Sequence, residues 1–446
     1  MLVNALARSF LSGEASVDPI IERAAQLLGR NWRWLRPVAR RYVERFAEKV
    51  RPARRSVAAF LLADTTFQRA WIRRAGQLRI AERIAATGGM QPVAAAAYWP
   101  VPAIDSVDQL ARWLGISVSN LDLCNLEWLS DLKRINARSR IPQLGHYHYR
   151  VLAKSSASLR LIEAPKTRLK AIQRQILSEI LELVPAHSAV HGFVRGRSIK
   201  TFASLHAGKR AVLRMDLRDF FPSIGRARIQ ALFRTMGYPE SVANLLGGHC
   251  ANVTPRSIWK EISPGSCPSL DRGAIAEASQ LYARPHLPQG APSSPALANL
   301  SAYRLDCRLA GLARAAGATY ARYADDLAFS GEAEFDGCVD RFRAHAAAIV
   351  AEEGWTVNHR KTRIMRQGVR QHLVGLVTNR HVNVVRADFD RLKATLTNCL
   401  RHGASSQNRD NHPSFRMHLE GRVIFVESIN PAKGKRLRDL FERIEW

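Results

Sequence analysis

The sequence predicts an α+β fold, and three observations carry that prediction. Alternating apolar runs over residues 147–165, 211–221 and 318–331 have the two-residue period of strands. Long amphipathic stretches between them, such as "KTRLKAIQRQILSEILELV", have the helical period. Acidic residues stand at strand ends rather than only on helix faces: Asp216 closes one run, and Asp325 and Asp326 interrupt another.

The elements follow in order. Residues 1–105 read as helical and unusually basic, with apolar residues at helical spacing and Arg between them. Trp32, Trp34, Phe67 and Trp71 in this region suit either a helical core or stacking on nucleobases. "TGGMQPVAAAAYWPVPAID" reads as a linker, rich in Gly, Ala and Pro. "SVDQLARWLGIS" starts a second unit with a Ser-capped helix and a Gly turn. Strand-like runs with a turn at Ser155–Ser158 follow, then a helix, the strand "RAVLRMDLRDFF" and the helix "GRARIQALFRTMG". Residues 250–287 read as irregular. "APSSPALANLSAYRLDCRLAGLARAAG" is helical and leads into the hairpin "ATYARYADDLAFSG". A helix over 339–353, short strands within 355–366 and 371–386, and a helical tail complete the chain.

Composition narrows the function. Hydrophobic residues make up 46% of the 446, enough for sizeable cores and too many for global disorder. Lys and Arg total 67 against 38 Asp and Glu, a net charge of +29, which calls for a polyanionic partner such as nucleic acid. No apolar run is long enough to span a membrane. No basic-then-apolar leader opens the chain, and the six cysteines form no CxxC pair. A cytoplasmic protein without a zinc site or disulfide framework is expected.

A metal-dependent reaction on phosphates needs hard oxygen ligands gathered from separate segments. A turn between two strands presents Asp325 and Asp326 at its tip, and "VLRMDLRDFFPSI" supplies Asp216 on an apolar strand. Three aspartates so placed suit two Mg²⁺ ions about 4 Å apart, with Mn²⁺ as a substitute. The bland reading of the acidic pair is an exposed turn, where Asp is common.

The surrounding blocks resemble the reverse transcriptases. "ARYADDLAFSG" is similar to their catalytic hairpin, "LRMDLRDFFPSI" to their first catalytic motif and "LPQGAPSSPALANL" to their Pro-Gln-Gly motif. "RLIEAPKTRLKAIQRQIL" and "HGFVRGRSI" resemble fingers-region motifs of bacterial members, and "VNHRKTRIMRQGVRQHLVGLVTN" resembles the lysine motif and the grip after it. All occur in family order across residues 107–446.

The resemblance implies a right-hand polymerase: a helical basic extension over 1–105, fingers over 106–210, a palm over 211–382 with an insertion around 250–287, and a helical thumb over 383–446. It implies that Asp216, Asp325 and Asp326 hold metal, with the backbone carbonyl of Leu217. Lys154 and Arg160 are expected over the triphosphate. Gln289 and Gly290 are expected to floor the incoming nucleotide, Phe221 to exclude ribose, and Lys361 to act as general acid toward pyrophosphate. Arg197, His206 and Gly375 are candidate RNA contacts.

The arrangement of blocks looks most like the retron-type bacterial enzymes. These copy a structured non-coding RNA into DNA from dNTPs, starting at a 2′-OH in that RNA, and many serve in anti-phage defence with an effector partner. Two elements tied to RNA recognition depart from the retron pattern: Phe202 stands where Asn is expected in Asn-Ala-x-x-His, and Val374 where Thr is expected in Val-Thr-Gly. A defence-associated or group II intron-like enzyme is the alternative within the family, and an inactive RNA-binding scaffold the alternative from another class.

Overall fold

A computed structural model describes residues 2–11, 15–46, 52, 54–74, 77–78, 89–116, 146–153, 159–261 and 272–446. Lys154 and the turn expected at Ser155–Ser158 lie outside these residues. The chain divides into two units, one of Met1–Tyr98, Ala103–Leu121 and Phe233–Leu245, the other of the remainder.

The first unit is helical. Helices α1 (Leu2–Leu11), α2 (Val17–Leu28), α3 (Leu35–Phe46), α4 (Arg54–Ala63) and α5 (Thr65–Arg73) are followed by α6 (Val107–Trp113). Their amphipathic spacing puts Leu6, Phe10, Ile20, Leu35, Tyr42 and Phe67 into one core. Tyr42 packs edge-on against Phe10 and Phe60. Gly29, at φ 66°, closes α2 in the left-handed conformation. Asp64 caps α5 by accepting from the Thr66 and Phe67 amides while it pairs with Arg41 at 2.8 Å. Of the four aromatic residues with two readings, Trp32 and Phe67 are core, Trp34 packs against that core, and Trp71 is 40% exposed. The stretch expected to be a linker is docked: Gln91 N donates to Gly237 O and Val93 N to Thr235 O. Gly237, at φ 101°, has no room for a Cβ against Pro92.

The second unit is mixed. β1 (Tyr147–Ala153) pairs antiparallel with β2 (Leu159–Pro165), and α7 (Thr167–Glu179) and α8 (Ile199–Ser204) follow. The main sheet is built on β3 (Ala211–Arg218). One edge of β3 pairs with β5 (Asp326–Gly331), which carries β4 (Thr319–Tyr323) beyond it. The strand also pairs with β6 (Thr356–Val357) and β7 (Arg363–Arg366). A central strand covered on both faces needs a nearly continuous apolar run, and "AVLRMDLR" is buried at six of its eight positions.

Helices α9 (Arg226–Thr235) and α10 (Glu240–His249) come next. The segment expected to be irregular contains α11 (Arg256–Glu261) and α12 (Arg272–Tyr282). The reading failed there because Gly, Pro and Ser cluster at 264–269, between the helices rather than within them. Then come α13 (Ser294–Ser301), α14 (Tyr303–Ala315) and α15 (Ala333–Glu352), the last starting six residues earlier than its expected bound. A small sheet of β8 (His372–Leu373), β9 (Leu376–Val377) and β10 (Asn383–Val384) precedes α16 (Arg386–His402), α17 (Phe415–Ile429) and α18 (Pro431–Phe441). Leu392, Leu396, Leu419, Val423 and Leu437 make the core of that helical tail.

Among the described residues no helix is long and apolar enough to cross a membrane.

Candidate active site

The register of the main sheet assembles the carboxylates. Asp216 on β3 stands directly opposite Asp326 on β5. Asp326 also pairs with Tyr323, so β4 and β5 are joined by a two-residue turn of Ala324 and Asp325. Ala324 takes φ 55°, unusual for a residue with a Cβ, and the turn is held from both sides. Leu217 N donates to Asp325 O at 2.9 Å. The buried Arg322 guanidinium donates to Ala324 O at 3.1 Å while bidentate on Asp306.

Two of the three carboxylates have cationic partners. Lys361 Nζ lies 2.9 Å from Asp216 Oδ2, and Asn358 Nδ2 donates to Oδ1 at 3.0 Å. Arg214 Nε donates to Asp326 Oδ1 at 2.8 Å. Burial and the neighbouring charges of Asp326 and Asp216 push the Asp325 carboxyl up to about 6. Burial likewise raises Asp326, against the opposing pull of Arg214. Clustered hard oxygen donors, with Asp325 held up by burial and by its neighbours' charge, are the chemistry that a divalent cation satisfies, so the three residues suit one. Among the described residues, no three His, Cys, Asp or Glu side chains already stand gathered as a metal-holding group. A cation binding here competes with Lys361 for Asp216 and with Arg214 for Asp326.

The other expected residues are spread around this centre. The Leu217 side chain is buried. Phe220 faces the core against Trp355, whereas Phe221 is half-buried and its ring centroid is 6.3 Å from that of Phe193. Arg160 is exposed on β2. Gln289 O accepts from Glu163 N at 2.8 Å, and Gly290 has φ 120°, where an added Cβ would crowd Ile162 and Glu163 O. Gly375 is exposed in the two-residue turn between β8 and β9, beside Val374 at φ 44°.

Two candidate RNA contacts are engaged within the protein. Arg197 donates to the Ser188 and Val190 carbonyls, bracing its own loop. His206 is fully buried, with Nδ1 2.7 Å from Ser330 Oγ. A ring without solvent contact cannot touch RNA, so its role in this structure is internal. Phe202 and Val374, the two departures from the retron pattern, join one apolar cluster with Val212, Ala321, Ala328 and Leu373.

Sequence reading missed Arg214, Asn358, Arg322, Glu163 and Phe193. Arg214 had a signal, since residues two apart on a strand share a face. Phe193 had little: it is 53% exposed at φ 61°, beside Phe221 and Tyr323, and only the folded loop brings it there.

A carboxylate set on a central strand and its adjoining hairpin suits metal-assisted transfer of a phosphoryl or nucleotidyl group. The reverse transcriptase (RNA-dependent DNA polymerase) family matches residues 152–389, more than half of the chain, and the chain belongs to that family. It is 38% identical over 341 residues to the retron Mx65 reverse transcriptase of Myxococcus xanthus, covering 76% of this chain and 72% of the relative. The retron Mx162 enzyme of the same organism is 34% identical, over 74% of this chain and 65% of the relative. The retron Ec86 reverse transcriptase of Escherichia coli is 28% identical, over 75% and 92%. Within the family, therefore, the protein is a retron-type bacterial reverse transcriptase, an RNA-directed DNA polymerase.

Proposed function

We propose that the protein copies a structured non-coding RNA into DNA at the centre formed by Asp216, Asp325 and Asp326. The observation that carries this is the pairing of Asp216 opposite Asp326 with Asp325 beside them, the carboxyl of Asp325 raised by burial and by the charges of the other two. Reverse transcriptase domains depend on divalent metal ions, and two Mg²⁺, or Mn²⁺ in their place, suit this oxygen donor set. When bound, they supply Lewis-acid activation of the priming hydroxyl and neutralise the leaving pyrophosphate.

The chain's own residues do the rest. Arg160, with Lys154, offsets charge on the triphosphate. Gln289 and Gly290 lie under the incoming nucleotide, where a glycine at φ 120° permits close backbone approach. Phe221 crowds the sugar and excludes a 2′-OH. Lys361 leaves Asp216 to give its proton to pyrophosphate.

In this reading residues 106–210 are the fingers, 211–382 the palm and 383–446 the thumb, with 1–105 a basic extension. The enzyme works in the cytoplasm, in anti-phage defence, with an effector protein. The net charge of +29 supports tight, salt-sensitive RNA binding through phosphates.

The test is Mg²⁺-dependent dNTP incorporation on a primed RNA template, beside an Asp325→Asn/Asp326→Asn control. Incorporation lost in the control supports the assignment; an inert parent protein favours the RNA-binding scaffold. Sequencing the copurifying nucleic acid separates the priming modes. A branched RNA–DNA species is expected, and a linear or homopolymeric cDNA overturns 2′-OH priming.

A further inference from the structure

Behind the half-exposed Gln289 lies a buried polar network that the catalytic reading leaves unused. Glu163 on β2 has no exposed surface, and His286, Asn252 and Thr254 are nearly as buried. Glu163 Oε1 accepts from Asn252 Nδ2 at 2.8 Å and from Thr254 Oγ1 at 2.9 Å. Its Oε2 lies 2.8 Å from His286 Nε2. The other ring nitrogen, Nδ1, lies 2.7 Å from Arg284 O. Both ring nitrogens are thus engaged, one on each side of the ring. The two carboxylate oxygens thus reach two chain segments, Oε1 the one with Asn252 and Thr254 and Oε2 the one with His286.

Those segments converge on the nucleotide floor. His286 and Asn252 exchange backbone hydrogen bonds at 2.8 and 2.9 Å, which locks the segment leading into the Pro-Gln-Gly loop. Three residues later Gln289 O accepts from the Glu163 amide. A Cβ on Gly290 would meet Ile162 Cγ2 at 3.1 Å and Glu163 O at 3.2 Å, so the loop is seated directly on β2. A buried carboxylate is expensive to desolvate, and an apolar residue of that size would serve packing as well or better. Position 163 therefore meets this stretch twice, through its carboxylate at His286 before the loop and through its backbone amide at Gln289 within it, and the first of these is a directional tie that packing alone does not supply.

We propose that Glu163 is a positioning residue for nucleotide binding: with His286, Asn252 and Thr254 it holds Gln289 and Gly290 at a fixed height over β2. This rests on the reading of Gln289 and Gly290 as the nucleotide floor. The test uses the full chain with single-nucleotide incorporation on a primed RNA template, reading dNTP KM, kcat and template affinity separately. Glu163→Ala is expected to raise dNTP KM about tenfold, leaving kcat at saturating dNTP and template affinity within threefold. Glu163→Gln can accept from Asn252 and Thr254 and donate to a neutral His286, so it is expected to stay within twofold of the parent. Thr254→Val removes one hydrogen bond at constant volume and is expected to raise KM about threefold, which keeps the test usable where Glu163→Ala does not fold. An unchanged KM in both variants, or KM, kcat and template affinity deteriorating together, overturns the proposal. Gln289→Ala separates the two readings. Should it leave dNTP KM unchanged, the nucleotide floor itself is wrong. Should it raise KM while Glu163→Ala does not, only the positioning role falls.

Discussion

Arg322 and Asp306 form a bidentate ion pair with both side chains fully buried, Nε to Oδ1 at 2.8 Å and Nη2 to Oδ2 at 2.7 Å. Tyr320 adds its hydroxyl to Oδ1, and the remaining Arg322 donor reaches Asn299 and the Ala324 carbonyl in the catalytic turn. Arg322→Met leaves a buried charge without its partner and should destabilise by about 3–5 kcal/mol, read from denaturant midpoints. Arg322→Met/Asp306→Leu removes both charges and should recover most of that stability. It should not recover dNTP incorporation, because Ala324, at φ 55°, still lacks its donor. Recovery of both would show that the pair serves stability alone.

Lys361 is half-exposed and paired with Asp216. Lys361→Ala should lower kcat by about 10²–10⁴-fold if the ammonium is the general acid. Lys361→Arg keeps the positive charge but releases a proton far less readily, so little recovery is expected. Full recovery by Arg would mean that charge, not proton transfer, is what position 361 supplies.

Phe220 and Phe221 separate packing from selection. Phe221→Ala opens space beside Phe193 and should weaken dNTP over rNTP preference by about tenfold or more, in line with the ~1–3 kcal/mol a pocket gains from excluding a small group. Phe220, 3% exposed, should instead lose about 3–5 kcal/mol of stability on truncation and leave the sugar ratio intact. Primer extension with competing dNTP and rNTP measures the first, thermal unfolding the second. Unchanged discrimination in Phe221→Ala removes it from sugar selection.

Two buried histidines predict acid sensitivity. Burial depresses His206 to about 3 and His249 to about 4. Above the unfolded value near 6.5 both rings are neutral in either state, and neither destabilises. As pH falls below 6.5 the unfolded chain takes up protons that the folded chain refuses. Stability is then lost at about 1.4 kcal/mol per pH unit for each ring, until the folded pKa is reached. Denaturant midpoints between pH 7.5 and 5 should therefore fall, and His206→Gln should flatten the slope. An unchanged slope in that variant would place the sensitivity elsewhere.

Much of the centre was legible because its signals are local. Asp216 closes an apolar strand, Asp325 and Asp326 sit in a hairpin, and a positive-φ Gly290 ends a Pro-Gln-Gly turn; each is a matter of a few neighbouring residues and their periodicity. The strands and helices around them were read from the same short-range pattern, and it failed over 250–287, where breakers between two helices masked both.

What only the tertiary structure decided is who stands opposite whom. Lys361 meets Asp216 across 145 residues of chain, His286 meets Glu163 across 123, and His206 meets Ser330 across 124. Spacing along a sequence carries no record of such pairings, because β-sheet register and loop packing set them. The sequence determined that three aspartates exist in polymerase order on an α+β chain. The fold decided that two of them are held by Lys361 and Arg214, that His206 is sealed from any RNA, and that a buried Glu163 ties β2 to the Pro-Gln-Gly loop.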